Sequence, residues 1–274
     1  MKLTKHHGLG NDFLITWVDA VPVDAADLAR HLCHRHTGLG ADGLVFGVLA
    51  DGAAPQFVLH NADGSAPEVS GNGLRCFGQA LAMRNGVTEL DATVGTPAGD
   101  RHILVVGQQT SAPDTFDVEV DMGPASTGPD LAGRDPGRLV DSRASVTVDM
   151  GNPHVVVHVE DPLSHDMAAT GPLIEADFPA TGMNVHMVAP DPAVPGGVIM
   201  NIWERGAGVT QACGSGACAA AWAAHHWGWS EGNEFRVRMP GGEATVVMGD
   251  SIRLRGPAVF VAEIDFQRKV MPHG

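Results

Sequence analysis

The chain has 274 residues, 44% apolar and 18% charged, with a formal net charge of -15. That length accommodates one large domain or two ordinary ones around a genuine core, and the composition excludes a disordered or fibrous chain. Its 17 cationic residues are spread thinly over an acidic background, which argues against a nucleic-acid partner, and no apolar run approaches the roughly 18–20 residues of a membrane helix.

The first eight residues, Met1 to Gly8, are polar and lack the apolar stretch of a secretory leader, so the expected location is the cytoplasm. Alternating or β-branched runs then predict strands at 13–18, 44–49, 57–60, 102–106, 115–120, 145–149 and 155–159. Further runs follow at 185–188, 198–203, 235–239, 244–247 and 258–264. Helices are predicted over 25–35 behind Asp24, over 74–84 ending at Asn85-Gly86, and over 217–227 ending at Gly228. Residues 123–138, rich in Gly, Pro, Ala and Asp, read as a loop near a domain boundary. Few helices among many strands give an α+β fold.

Cys33, Cys76, Cys213 and Cys218 are expected as thiols, since none of their spacings suits a zinc pair. Lys2, Lys5 and Lys269 are the only lysines. A pyridoxal enzyme needs a Schiff-base lysine inside a pocket, so amino-acid chemistry here is expected to run without that cofactor. Gly38-Leu39-Gly40-Ala41-Asp42-Gly43 spells a G-x-G-x-x-G string, but it follows a helix and precedes a strand, the reverse of the dinucleotide order; it reads as a turn. His31, Cys33, His34 and His36 read as a solvated helix end, because no carboxylate completes a metal set there. Glu204-Arg205, after a strand, reads either as a rim salt bridge or as a carboxylate clamp built on Arg205.

One theme occurs twice. Ser70-Gly71-Asn72-Gly73 (after Glu68-Val69) and Cys213-Gly214-Ser215-Gly216 (after Gln211-Ala212) each place a small nucleophilic residue before Gly-x-Gly and a sparingly polar helix. Glycines admit a ligand to backbone N–H groups, and a helix N-terminus carries partial positive charge. Two such termini aimed at one carboxylate would stabilise the enolate-like dianion formed when its α-proton leaves. Residues at the two caps would then stand on opposite faces of the α-carbon, the arrangement inversion requires. Cys213 suits the acid–base role if the helix N-terminus pulls its thiol toward thiolate.

With His7-Gly8-Leu9-Gly10-Asn11-Asp12-Phe13, Asn61-Ala62-Asp63-Gly64-Ser65, Gly151-Asn152-Pro153-His154 and Glu204-Arg205-Gly206-Ala207-Gly208, these strings resemble the diaminopimelate epimerase family over nearly the whole chain. Thr210 to Cys218 is the strongest segment. The resemblance implies two pseudo-symmetric α+β domains, residues 1–118 with 263–274 and residues 119–262. Each would be a mixed sheet curled around a central helix, with the site in the cleft between them. It implies a homodimer that inverts LL-diaminopimelate to the meso form without cofactor or metal, for lysine and peptidoglycan synthesis. Gly71, Asn72, Gly214 and Ser215 would hold the reacting carboxylate. Asn11, Asn61, Asn152, Asn184, Glu204 and Arg205 would fix the other polar groups, including the distal end, and His154 and Glu204 would assist the proton-transfer residues.

Two positions depart from the family pattern. Ser70 stands where the family carries cysteine, and its weakly acidic hydroxyl calls for a partner, with His154 the expected one. Ser70 is open to three readings: a native working base, a native residue tuned to another amino acid, or a Cys→Ser replacement. A racemase for another amino acid and a binding protein weakened in catalysis are the corresponding alternatives. Gly43 stands where many members carry glutamine, toward the expected distal end of the substrate.

Overall fold

The computed structural model describes residues 1–50, 52–67, 70–131 and 133–267. Glu68, Val69, Lys269 and the last residues of the 263–274 segment therefore lie outside the described residues. In chain order the first half runs β1 (Lys2–Gly8), β2 (Asn11–Val18), α1 (Ala25–Cys33), β3 (Gly43–Val48), β4 (Gln56–Asn61), α2 (Gly71–Asn85), β5 (Leu90–Thr96), β6 (Gly99–Gln109) and β7 (Ala112–Asp121). The second half runs β8 (Ser126–Thr127), β9 (Ser142–Asp149), β10 (Pro153–Val159), α3 (Met167–Glu175), β11 (Asn184–Pro190), β12 (Gly197–Trp203), α4 (Gly214–His226), β13 (Glu234–Met239), β14 (Gly242–Val247) and β15 (Arg253–Asp265).

Among the described residues the fifteen strands form one mixed sheet, in the order β1 to β7, then β15 down to β8. β15 also pairs with β1, so β1–β7 and β15 close on themselves. Within that ring lies α2, packed on β15, β1, β7 and β6; within the curl of the remaining strands lies α4, packed on β9 through β14. The long β15 serves both halves. Its first residues pair with β14 and β7, and from Val259 onward it pairs with β1. The α+β architecture with sheets curled around buried helices is as expected.

The two central helices lack polar faces because sheet surrounds them. From Gly71 to Ala82, α2 is buried on every side, and the alanines of α4 are nearly all buried. Side chains as small as alanine let the surrounding strands approach closely. One apolar core runs through both curls, from Phe77, Val118 and Val120 to Cys218, Val198 and Phe235. Outside it, α1 packs on β3 and α3 on β11 and β12, each over its own smaller cluster.

Both central helices begin three residues before the apolar pattern does, at Gly71 and Gly214. Glycine's low helix propensity hides those first turns in the sequence. The cap residues supply what propensity withholds: Ser70 Oγ accepts from Gly73 N at 3.1 Å, and Cys213 Sγ accepts from Gly216 N at 3.4 Å. The predicted 123–138 loop contains the short strand β8 and a 3₁₀ turn at Pro136–Leu139. α1 ends at Cys33, where His34 turns extended, and the G-x-G-x-x-G string is the turn that follows, with Gly40 at φ 73°.

Candidate active site

Between the two curls lies a cavity of about 600 Å³. Its floor is the meeting point of the α2 and α4 N-termini. A Cβ added at Gly214 would stand 3.2 Å from Gly71 Cα and 3.2 Å from Asn72 N, so the two first turns touch, backbone to backbone. Ser70 and Cys213 cap these turns in nearly the same extended conformation, φ/ψ -143°/104° and -125°/112°. The repeated motif thus becomes two helix N-termini in contact, each with its partial positive charge turned to the cavity floor and each capped by a residue that can carry a proton.

Side-chain amides tie the termini together. Asn72 Nδ2 donates to Ala212 O at 3.2 Å and to Asn11 Oδ1 at 3.1 Å; Asn152 Nδ2 donates to Ser215 Oγ at 3.4 Å. Arg75, one and a half turns into α2, points beneath this floor. It is fully buried, its Nη2 donates to Asn72 Oδ1 at 2.8 Å, and its Nε and Nη1 have no partner. No carboxylate pairs with it among the described residues, so a buried cation without a paired carboxylate lies beneath the floor, behind Asn72.

The structure brings Ser70, Gly71, Asn72, Cys213, Gly214 and Ser215 to the floor, and Asn11, Asn61, Asn152, Asn184, Glu204 and Arg205 to the walls. His154 stands one layer behind. Its Nδ1 contacts His186 Nε2 at 2.8 Å and its Nε2 contacts Asn152 Oδ1 at 2.9 Å, so both ring nitrogens are engaged away from Ser70. The expected Ser70–His154 pair is therefore not formed here. Burial, first, and then His186 and Arg205 hold the His154 imidazole neutral, with its pKa well below the usual histidine range.

Cys213 also departs from expectation. Its thiol lies well above the ordinary range rather than below it, because burial and then the Glu204 carboxylate outweigh the N–H of Gly216 and the hydroxyl of Ser215. The thiol is a donor to Glu204. Burial raises Glu204 as well, against the hydrogen bond from Thr210 Oγ1 at 2.6 Å and the one from Cys213. A carboxyl facing a thiol makes an acid–base couple: the proton Cys213 must shed has an acceptor beside it.

Arg205 is not salt-bridged to Glu204. Its guanidinium donates to Thr181 O, its backbone N–H donates to Asn184 Oδ1 at 3.1 Å, and no carboxylate among the described residues pairs with it. Of the two readings, the carboxylate clamp is the one this geometry permits. Gly43 does not line the cavity: a Cβ there would stand 2.7 Å from Leu59 Cδ1 and 3.1 Å from His60 O, so Leu59 fills the space of a longer side chain. His34 Nδ1 accepts from Thr37 N at 3.0 Å and closes the turn after α1, and no metal-sized group of His, Cys, Asp and Glu occurs among the described residues.

Asp42 and Thr210 are wall residues the sequence reading missed. Asp42 takes Asn11 Nδ2 at 2.7 Å and Arg35 at 2.8 Å, while Arg35 and Lys5 both hold Asp12. No local signal marks Asp42: it sits in the turn before β3, and its place in the wall follows from the hydrogen bond to Asn11, thirty-one residues away.

The fold, the paired helix termini and the relatives below together place the chain among the isomerases. The same fold is seen in a predicted epimerase from Pseudomonas aeruginosa, at a TM-score of 0.74 and 16% identity over 98% of this chain and 99% of that one. The family model for diaminopimelate epimerase matches residues 3–128 and 146–261. Diaminopimelate epimerase of Desulfitobacterium hafniense is 38% identical over 95% of this chain and 96% of its own length. That of Thermobifida fusca is 37% identical over 97% of each. The chain belongs to the diaminopimelate epimerase family.

Proposed function

We propose that this protein interconverts LL- and meso-diaminopimelate by moving the α-proton between two faces of one carbon, without a cofactor. The observation that carries this reading is the contact between the two helix termini, capped by Ser70 and Cys213. The reacting carboxylate would lie across the N–H groups of Gly71, Asn72, Gly214 and Ser215, where charge developing on deprotonation is met by fixed dipoles and by buried Arg75 beneath. On one face Cys213, having passed its proton to Glu204, takes the α-proton; on the other, the Ser70 hydroxyl returns one. The return step leaves an alkoxide, which the Gly73 N–H at the α2 cap stabilises until solvent reprotonates it; Glu204 then releases its proton to solvent and the cycle closes.

The distal, non-reacting carboxylate suits Arg205, with Asn61 and Asn184 beside it. Support for a cofactor-free route comes from the lysines: Lys5 is held by Asp12 at 2.9 Å and by Gly40 O at 2.6 Å, and neither it nor Lys2 faces the cavity. We read residues 1–118 with 263–274 as the domain around α2, residues 119–262 as the domain around α4, and the working enzyme as a cytoplasmic homodimer. Sedimentation of the purified protein tests the last point.

The substrate assignment is tested by proton NMR in heavy water with LL-diaminopimelate, meso-diaminopimelate and a panel of other L-amino acids. Loss of the α-proton signal is expected for the two diaminopimelate isomers. Loss confined to another amino acid would reassign the substrate.

A further inference from the structure

His186 belongs to no string that the family resemblance carries, and it does not line the cavity. It sits on β11, fully buried, and its ring fills the space that Gly216 leaves beneath the first turn of α4. A Cβ at Gly216 would stand 2.5 Å from His186 Cε1. The last glycine of Gly214-Ser215-Gly216 therefore makes room for a histidine ring rather than for a ligand. That ring lies nearly coplanar with His154 and meets it edge to edge through the ring nitrogens, centroids 5.1 Å apart and planes 28° apart.

Four contacts run in series from this ring to the sulfur. His186 Nε2 meets His154 Nδ1 at 2.8 Å, and His154 Nε2 meets Asn152 Oδ1 at 2.9 Å. Asn152 Nδ2 donates to Ser215 Oγ at 3.4 Å, and Ser215 Oγ lies 3.7 Å from Cys213 Sγ. Direction follows from donor arithmetic. Asn152 Oδ1 can only accept, so His154 carries its proton on Nε2 and accepts at Nδ1, and His186 must then donate from Nε2. His186 Nδ1 is left as a buried lone pair with no partner. The opposite sense would bury an N–H there instead, and orphaned buried N–H groups are the rarer and costlier case. With its oxygen filled by Asn152, Ser215 is free to point its O–H at the sulfur.

We propose that His186 is a positioning residue, whose fixed tautomer sets the sense of the chain His154–Asn152–Ser215 so that the Ser215 hydroxyl donates to Cys213 when its thiolate forms. Without the His186 donor, His154 can change tautomer, Asn152 can turn its amide over, and the Ser215 hydroxyl is drawn away from the sulfur. The charged groups around the chain are Glu204, hydrogen-bonded to Cys213; Asp42, facing Glu204; Arg205, toward His154; and Arg75, toward Cys218. Gly216 of α4 lies against the His186 ring, with the Met200 methyl of β12 beside it, and neither is titratable. None of these is altered by a substitution at position 186.

The role in turnover rests on the proposed epimerase reaction, but the test on the thiol does not. Iodoacetamide labelling of Cys213 is followed against pH by mass spectrometry of its peptide, in wild type, His186→Phe, His186→Gln, Ser215→Ala and the His186→Phe/Ser215→Ala double variant. Cys33, Cys76 and Cys218 are buried away from the cavity and serve as internal controls. The expected midpoint rises by about one pH unit in His186→Phe and in Ser215→Ala, roughly a tenfold slowing at fixed pH below it. The double variant is expected to match Ser215→Ala, and His186→Gln, which keeps an N–H donor, to return toward wild type. A His186→Phe profile superimposable on wild type, or effects that add in full, would overturn the proposal. Should His186→Phe not fold, His186→Gln decides, with a midpoint as high as that of Ser215→Ala overturning it. A wild type that exchanges no α-proton with diaminopimelate would sink the substrate reading and leave this labelling result standing.

Discussion

At the cap of α4 the chemistry depends on a contest between burial and hydrogen bonding, and burial wins. Cys213 is raised by desolvation and by Glu204 more than the helix N-terminus lowers it. The helix dipole is worth a few tenths to one kcal/mol at an exposed end, whereas moving a thiolate into an apolar site shifts its pKa by several units. On the proposed reaction, proton removal by Cys213 then calls on Glu204. Glu204→Gln keeps the shape, loses the acceptor, and is expected to lower kcat about 100-fold with a small effect on KM, in steady-state assays. Ser70 has no comparable base within hydrogen-bonding reach among the described residues, so proton transfer on its face should be the slower one. Ser70→Cys, a better acid of similar size, is expected to raise the α-proton exchange rate about tenfold or more; an unchanged rate would show that the Ser70 face is not limiting. Ser70, Cys213, Glu204 and Arg205 were readable because short strings hold them. Asp42 and His186 were not, since the partners that place them, Asn11 and His154, are distant in sequence; Thr210, though inside the strongest string, shows its place only through its hydrogen bond to Glu204.

For the helices, the positions that mattered were glycines. At Gly214 the nearest neighbours of an added Cβ are the Gly71 backbone and Leu254. Gly214→Ala should therefore force the two termini apart by several tenths of an ångström. Overpacking of this kind costs typically 1–3 kcal/mol, and catalysis should suffer more, since a misplaced donor can cost about 100-fold. Calorimetry and kinetics on the variant check both, and a variant with wild-type kcat would show that the N-termini do not form the carboxylate site. The same glycines explain why the two helices seemed to begin late in the sequence, at 74 and 217. By contrast α3 was missed altogether. Gly171 and Pro172 interrupt its pattern, yet Asp166 accepts from Ala168 N and Ala169 N and starts the turn. β1 was missed because four of its seven residues are lysine or histidine, and pairing on both sides, with β2 and β15, holds it in the sheet.

Across the whole molecule, three buried histidines, His6, His154 and His186, are kept neutral, His6 near pH 4 and His186 near pH 3, each chiefly by burial. An unfolded histidine titrates near 6.5, so between that value and the folded one the unfolded chain binds more protons. Stability should accordingly fall as pH drops from about 6.5 toward 4, by up to roughly 1.4 kcal/mol per pH unit for each ring. Thermal unfolding from pH 7 to 4.5 measures this, and His6→Gln should flatten the slope; a melting temperature constant over that range would contradict it. The sheet order was beyond sequence reading, because β15 reaches across the chain to close the first ring on β1 and nothing local specifies that pairing. The two-helix plan was within reach, because the chain states it twice. What joins these scales is one claim: Cys213 and Ser70 stand on opposite faces of a carbon whose carboxylate lies between two helix N-termini. Its most direct measurement is α-deuterium incorporation from heavy water, with LL- and meso-diaminopimelate, in wild type and Cys213→Ala. The account predicts incorporation into both isomers by wild type and its loss, by at least about 1000-fold, in Cys213→Ala. Equal incorporation by the two proteins, or none by wild type with either isomer, would contradict it.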